Sequence, residues 1–299
     1  RPESEPDGRG QRIAGGDAYR PDPFRDLTEQ IASPTMDLFV RESGPVGAPA
    51  IVFLHGGRLS GWSWDPVVER MRRRHHCLVP DLPQYGKSFQ QGPFEMSRAA
   101  DAVAELIRSR AGTGRAHVVG FSLGAQVGIQ LMANEPTLAD RAVLCGTFIN
   151  TLPGVSVTQN LLGALTRSTP LPWLMNRQWI ARHAGLPEAQ YEHYREDVRR
   201  MTDAHTAHIV MASAGFTVPV GLDESEVPTL FLSGEKERKF VRHWAATLAK
   251  TMPNGVDGVV NRMPHDWPLS HPDLFASTIS DWLSAARIHP QIVLPNATH

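Results

Sequence analysis

The pentapeptide Gly120-Phe121-Ser122-Leu123-Gly124 carries the most specific chemical reading in the chain. It stands where an apolar run, His117–Gly120, gives way to a helical pattern over Gly124–Ala133. A sharp strand-to-helix turn at that point lifts a serine hydroxyl above a sheet edge, and flanking glycines let the backbones approach. The helix N-terminus then aims N–H groups at any negative oxygen formed beside the serine. Ser122 is therefore the candidate nucleophile. A plain turn with a capping serine is the bland alternative.

A serine hydroxyl reacts only once a base removes its proton. Among 13 histidines, His265 is the candidate, because it follows the run Val256–Asn261 and precedes the last helical stretch, Pro272–Ala286. Loops at the carboxyl ends of strands are where open α/β sheets place reacting groups. His271 is the rival, but the Pro272 after it marks a helix entry. The imidazole in turn needs an acid to fix its tautomer and stabilise its cation. After the run Arg141–Cys145 no Asp or Glu occurs before Glu188, so that run offers none. The next run, Thr229–Ser233, leads into Gly234-Glu235-Lys236-Glu237-Arg238. Glu237 is the first choice, with Glu235 and Asp266 as alternatives. A solvated row of charges is the usual meaning of such a stretch.

A tetrahedral oxyanion needs donors. His55-Gly56-Gly57-Arg58 follows the buried run Ala50–Leu54 and lacks side chains at two successive positions. The Gly57 amide, with that of Leu123, would make a two-donor oxyanion hole. Phe121 and Arg58 flank these groups and are candidate substrate contacts.

The elements that must position these residues alternate along the chain. Strand-like runs at Thr35–Arg41, Ala50–Leu54, Cys77–Val79, His117–Gly120, Arg141–Cys145, Thr229–Ser233 and Val256–Asn261 are separated by helical patterns. The rhythm predicts a mostly parallel sheet covered by helices. It breaks over 150–226, where only Pro-punctuated helical segments occur. From Arg141 to Pro187 there is no carboxylate, while Trp173, Met175 and Trp179 appear among leucines. A segment of that kind is a packing surface between parts of the molecule, a lid facing the substrate, or both. Trp173 and Trp179 are candidate substrate contacts on it. With Arg167, Arg177 and Arg182 nearby, the expected substrate is a small molecule, apolar or weakly anionic. The organisation read from these patterns is an arm over 1–34, a core over 35–149 and 227–287, a helical cap over 150–226 and a tail over 288–299.

Composition excludes several classes. The 299 residues are 41% apolar and 20% charged, with 30 basic and 31 acidic side chains and a net charge of −1. Such a chain can bury a core, so disorder is excluded. It lacks the basic excess that phosphate neutralisation needs, so no nucleic acid is expected as partner. No eighteen-residue apolar window occurs, so no membrane span is expected. Cys77 and Cys145 form no metal or redox spacing and read as small buried hydrophobes. No metal and no cofactor are implied. The amino-terminal stretch has no basic-then-apolar signal pattern, which leaves a cytoplasmic location as the default expectation.

The chain resembles the α/β-hydrolase family over roughly residues 35–285. The resemblance rests on His55-Gly56-Gly57 with Gly61-Trp62-Ser63-Trp64, on Asp81-Leu82-Pro83-x-x-Gly86-x-Ser88, on Gly120–Gly124 and on His265 before the last helix. It implies an eight-stranded, mostly parallel sheet, a helical cap between strands six and seven, and ester-hydrolase-like chemistry. It also implies that Asp81 shapes a turn. The chain departs from the family in one place: Glu237 stands where an Asp is usual. The function expected is a serine hydrolase cleaving an ester, lactone or related acyl compound. Carbon–carbon bond hydrolysis or a lyase reaction on the same scaffold is the alternative, and a ligand-binding receptor without catalysis is a third.

Overall fold

A computed structural model describes residues 36–150, 186 and 188–295. Eight strands form one sheet: β1 (Val40–Ser43), β2 (Ala50–Leu54), β3 (His76–Pro80), β4 (Ala116–Phe121), β5 (Ala139–Cys145), β6 (Thr229–Gly234), β7 (Gly255–Val260) and β8 (Ile292–Val293). Their order is β1-β3-β2-β4-β5-β6-β7-β8. The outer strands β1 and β8 pair antiparallel, and all six between them run parallel.

Helices cover both faces, as parallel strands require. Alternate residues of each strand point to opposite faces. Val52, Leu54, Val118 and Leu144 pack in one cluster with α2 (Met96–Arg110), α3 (Leu123–Asn134) and α6 (Lys239–Thr251). Ile51, Phe53, Val119 and Val143 pack in the other with α1 (Asp65–Met71) and α8 (Pro272–Ala285). A short helix, α7 (Trp267–Ser270), precedes α8. Pro66 and Pro272 stand in the first turns of α1 and α8, where a missing N–H costs nothing.

Two expectations change. The first strand is Val40–Ser43 and not Thr35–Arg41, because its antiparallel ladder with β3 pairs Val40 with Pro80 and Ser43 with Cys77. The eighth strand comes from the stretch read as a tail, 288–299: Ile292 and Val293 pair with the exposed edge of β7. In consequence the insertion follows the fifth described strand, not the sixth. Its described part holds α4 (Tyr191–Arg200) and α5 (Asp203–Ala214). The arm over 1–34 and the candidate contacts Trp173 and Trp179 lie outside the described residues. Among the described residues no helix is long and apolar enough to cross a membrane.

Candidate active site

Five neighbouring parallel strands, β2, β4, β5, β6 and β7, end on the same edge of the sheet. The chain leaving β2 is His55-Gly56-Gly57-Arg58, β4 leads into Ser122, β5 into Gly146, β6 into Glu237 and β7 into His265. Residues more than 200 positions apart therefore meet at one place.

Ser122 sits at the N-cap of α3 with φ 51 and ψ −112, a strained conformation for a residue with a side chain. Close backbone approach on both sides holds it there. A Cβ on Gly124 would lie 2.1 Å from the Leu54 carbonyl oxygen, and one on Gly120 would lie 2.8 Å from Ala125 Cα. The Ser122 amide extends the ladder by donating to the Cys145 carbonyl at 2.8 Å. As the first residue of α3, Leu123 has an amide without an acceptor inside the helix.

His265 Nδ1 lies 2.7 Å from Glu237 Oε1. The Glu237 side chain is 2% exposed, and the imidazole is 47% exposed. A buried carboxylate thus holds one ring nitrogen and leaves the other edge of the ring toward open space. Gly146, at φ 66, makes room for the pair, since a Cβ there would lie 2.6 Å from His265 Cε1. The Phe121 ring lies 5.0 Å from the imidazole, centroid to centroid. The two other acids are placed differently. Glu235 accepts from the Arg262 amide at 2.7 Å and faces solvent. Asp266 reaches the same cleft as His265 but is not paired with its ring. His271 caps the entry to α8 and bonds Ser270.

Gly57 and Arg58 stand on the first turn after β2. His55 supports that turn from beneath: the Leu82 amide donates to its Nε2 at 2.9 Å, so Nδ1 carries the proton and donates to the Gly56 carbonyl. Burial pushes the His55 pKa down and keeps the ring neutral. Asp81 accepts from the Gly61 amide at 2.7 Å and the Lys87 amide at 2.8 Å, which ties the two neighbouring loops together.

Ser122, His265, Gly57, Leu123, Phe121 and Arg58 all line one cleft of about 460 Å³. This volume falls within the range of small-molecule sites. Its roof comes from α4 and α5, through Tyr194, Thr206, Ile209 and Val210. Asp197 fastens α4 to the core, accepting from Ser60 Oγ and Trp62 Nε1 at 2.6 Å each. Gln126 of α3 fastens α5, accepting from Ser213 Oγ at 2.7 Å and donating to the Phe148 and Ser213 carbonyls. Sequence reasoning passes over Tyr85, Gly146, Tyr194 and Asp197. Tyr85 stands inside the turn motif after β3 and could have been singled out there; the others have no local signal. Among the described residues no group of three His, Cys, Asp or Glu is placed to hold a metal ion.

Residues 51–278 match the model of the alpha/beta hydrolase family. An AB hydrolase superfamily protein of Gibberella zeae is 30% identical over 130 residues, 43% of this chain and 46% of that protein. This chain thus spans less than half of that relative's length. A pimeloyl-[acyl-carrier protein] methyl ester esterase of Aeromonas hydrophila is 23% identical over 252 residues, 79% of this chain and 95% of the relative. The solved structure of a thermophilic esterase from Thermogutta terrifontis matches with a TM-score of 0.65 at 22% identity, over 82% of this chain and 92% of that one. At that identity the likeness is one of fold.

Proposed function

Because the chain belongs to the alpha/beta hydrolase family, we propose that it is a serine hydrolase cleaving a carboxylic ester, lactone or related acyl compound. One observation carries this reading: Ser122, held at positive φ on a helix start, shares a cleft with His265, whose Nδ1 is held by buried Glu237. The esterase relative from Aeromonas hydrophila, matched over 79% of this chain, supports it.

In this mechanism His265 Nε2 takes the Ser122 proton as Oγ attacks the substrate carbonyl carbon. Glu237 keeps the proton on Nδ1 and stabilises the imidazolium. The carbonyl oxygen, now an anion, is met by the Gly57 and Leu123 amides. Collapse expels the alcohol, which takes the proton from His265, and leaves an acyl group on Ser122. Water, deprotonated by the same imidazole, releases the acid and restores the serine. Glu237, one methylene longer than Asp, reaches His265 Nδ1 at 2.7 Å. The residues over 188–226 act as part of a cap that sets which acyl compounds enter.

The test is labelling by a fluorophosphonate together with turnover of p-nitrophenyl acetate. Both should be present in the natural chain and absent in Ser122→Ala. Labelling with negligible turnover across a panel of esters would shift the reading to carbon–carbon bond hydrolysis. Absence of both would leave a receptor.

A further inference from the structure

Two buried phenol hydroxyls and the Arg58 guanidinium meet in the cleft, with no carboxylate paired to them among the described residues. Tyr85, in the loop between β3 and α2, is 1% exposed, and Tyr194, on α4, is 2% exposed. Both line the cleft, and among the described residues neither hydroxyl finds an acceptor for its proton. Arg58 lines it with them and acts electrostatically on both phenols. Its backbone N–H donates toward the Tyr85 oxygen and its guanidinium toward the Tyr194 oxygen, each against the upward push that burial gives the hydroxyl. Burial nonetheless keeps both phenols protonated, so each has an O–H left to donate.

Nor does Arg58 have a counter-ion among the described residues. None of the ion pairs among the described residues includes it. The stretch 151–185 contains no Asp or Glu at all, so that part of the chain supplies none. Buried donors without acceptors are costly and rare in native proteins unless a ligand meets them. The remaining wall is apolar, with Leu59, Ile209, Val210 and Leu269.

A guanidinium with two neutral O–H groups matches a planar anion with two acceptor oxygens. Its place in the cleft sets the geometry of the substrate. Arg58 directly follows Gly57, and a Cβ on Gly57 would lie 3.6 Å from the Tyr85 hydroxyl. The anion site thus adjoins the oxyanion loop, a few atoms from the carbonyl under attack. We infer that Arg58, Tyr85 and Tyr194 form a carboxylate-binding subsite, and that the substrates are esters whose acyl chain ends in a carboxylate, such as monoesters of short dicarboxylic acids. The substrate assignment rests on the serine-hydrolase reading; the subsite itself does not.

Two measurements test it. The first compares kcat/KM for monoethyl glutarate with that for ethyl glutaramate, a neutral ester of the same size. The natural chain should favour the anion by about ten- to a hundredfold, the range for a hydrogen-bonded charge. Arg58→Gln should abolish the preference, Arg58→Lys should restore part of it, and Tyr194→Phe should reduce it several-fold. The second measures glutarate binding by calorimetry, which needs no turnover, and Arg58→Gln should remove it. Ser122-dependent turnover of both esters at equal rates, with no glutarate binding, overturns the subsite and leaves the hydrolase. Glutarate binding that depends on Arg58, without any ester turnover, upholds the subsite and overturns the hydrolase.

Discussion

The floor and the roof of the cleft are built by different means. On the floor, backbone geometry fixes everything: Ser122 is wedged by Gly120 and Gly124, and Gly146 leaves room for the His265–Glu237 pair. The roof hangs from side chains. Asp197 ties α4 to Ser60 and Trp62, Ser213 ties α5 to Gln126, and Asn150 holds the end of α5 by donating to the Ala214 carbonyl. A floor made of close backbone contacts has few tolerated variants, whereas a roof held by single hydrogen bonds can be altered one link at a time. Under the proposed function, reaction geometry belongs to the rigid half and the choice of substrate to the replaceable half.

The sharpest way to break this contrast is at the reacting groups. Ser122→Ala and His265→Ala should each lower kcat by about 10⁴-fold or more, because the members of such a triad act as a unit. Unfolding midpoints in urea should stay within experimental spread of the natural chain. Near-normal turnover in either variant would remove the chemistry from the floor. Glu237→Gln should cost about 10³- to 10⁴-fold by favouring the wrong imidazole tautomer. Glu235→Gln, whose carboxylate holds only the Arg262 amide, should cost less than about tenfold.

Next in size is Gly146→Ala. Its Cβ would press on His265 Cε1 at 2.6 Å, at a φ of 66 that side chains seldom adopt. The left-handed conformation costs about 1–2 kcal/mol. Displacing the imidazole by a fraction of an ångström should cost about a hundredfold in kcat. Measuring both on one preparation separates the two effects. Lost stability with full turnover would show that the pair tolerates displacement.

The same contrast explains what could be read from the sequence. Floor residues are legible because each stands at a strand end with a local signature: glycines around Ser122, the glycine pair after β2, a histidine between β7 and the last helix. Choosing Glu237 over Glu235 and Asp266 was open in the sequence, since three carboxylates lie within reach of two loops. The turn at Gly234, which sends the Glu235 side chain to Arg262 and that of Glu237 inward, separates these two, and Asp266 lines the cleft without pairing with the ring. The edge strands were misread for a related reason. The bounds of β1 are set by its partner β3, and β8 is two residues long, so neither leaves a periodic pattern in its own segment. The roof was illegible for a deeper one. Asp197 and Tyr194 lie in a charged helical stretch, Tyr191–Arg200, that reads as solvated, and the partners of buried Asp197 stand 135 and 137 positions away.

Asp197 also gives the expected effect most specific to the roof. Replacing it with Leu leaves the Ser60 hydroxyl and the Trp62 indole N–H without their acceptor, at a cost of about 1–3 kcal/mol. Tyr194, one turn earlier on the same helix, should then drift, and kcat/KM should fall about tenfold, mainly through KM. Asp197→Asn keeps an acceptor oxygen and should do less. It also isolates the carboxyl proton. Burial pushes the Asp197 pKa up from its ordinary value, so the folded chain binds this proton more tightly than the unfolded one. The contribution is then fullest below the unfolded value of about 3.9 and is lost as pH rises through the raised value. Asn has no proton to lose. The stability of Asp197→Asn, measured against the natural chain by urea unfolding, should therefore improve as pH rises from about 4 and level off above the raised value. The opposite slope would mean that Ser60 and Trp62 stabilise the carboxylate more than burial penalises it, which would make this link of the roof as firmly set as the floor.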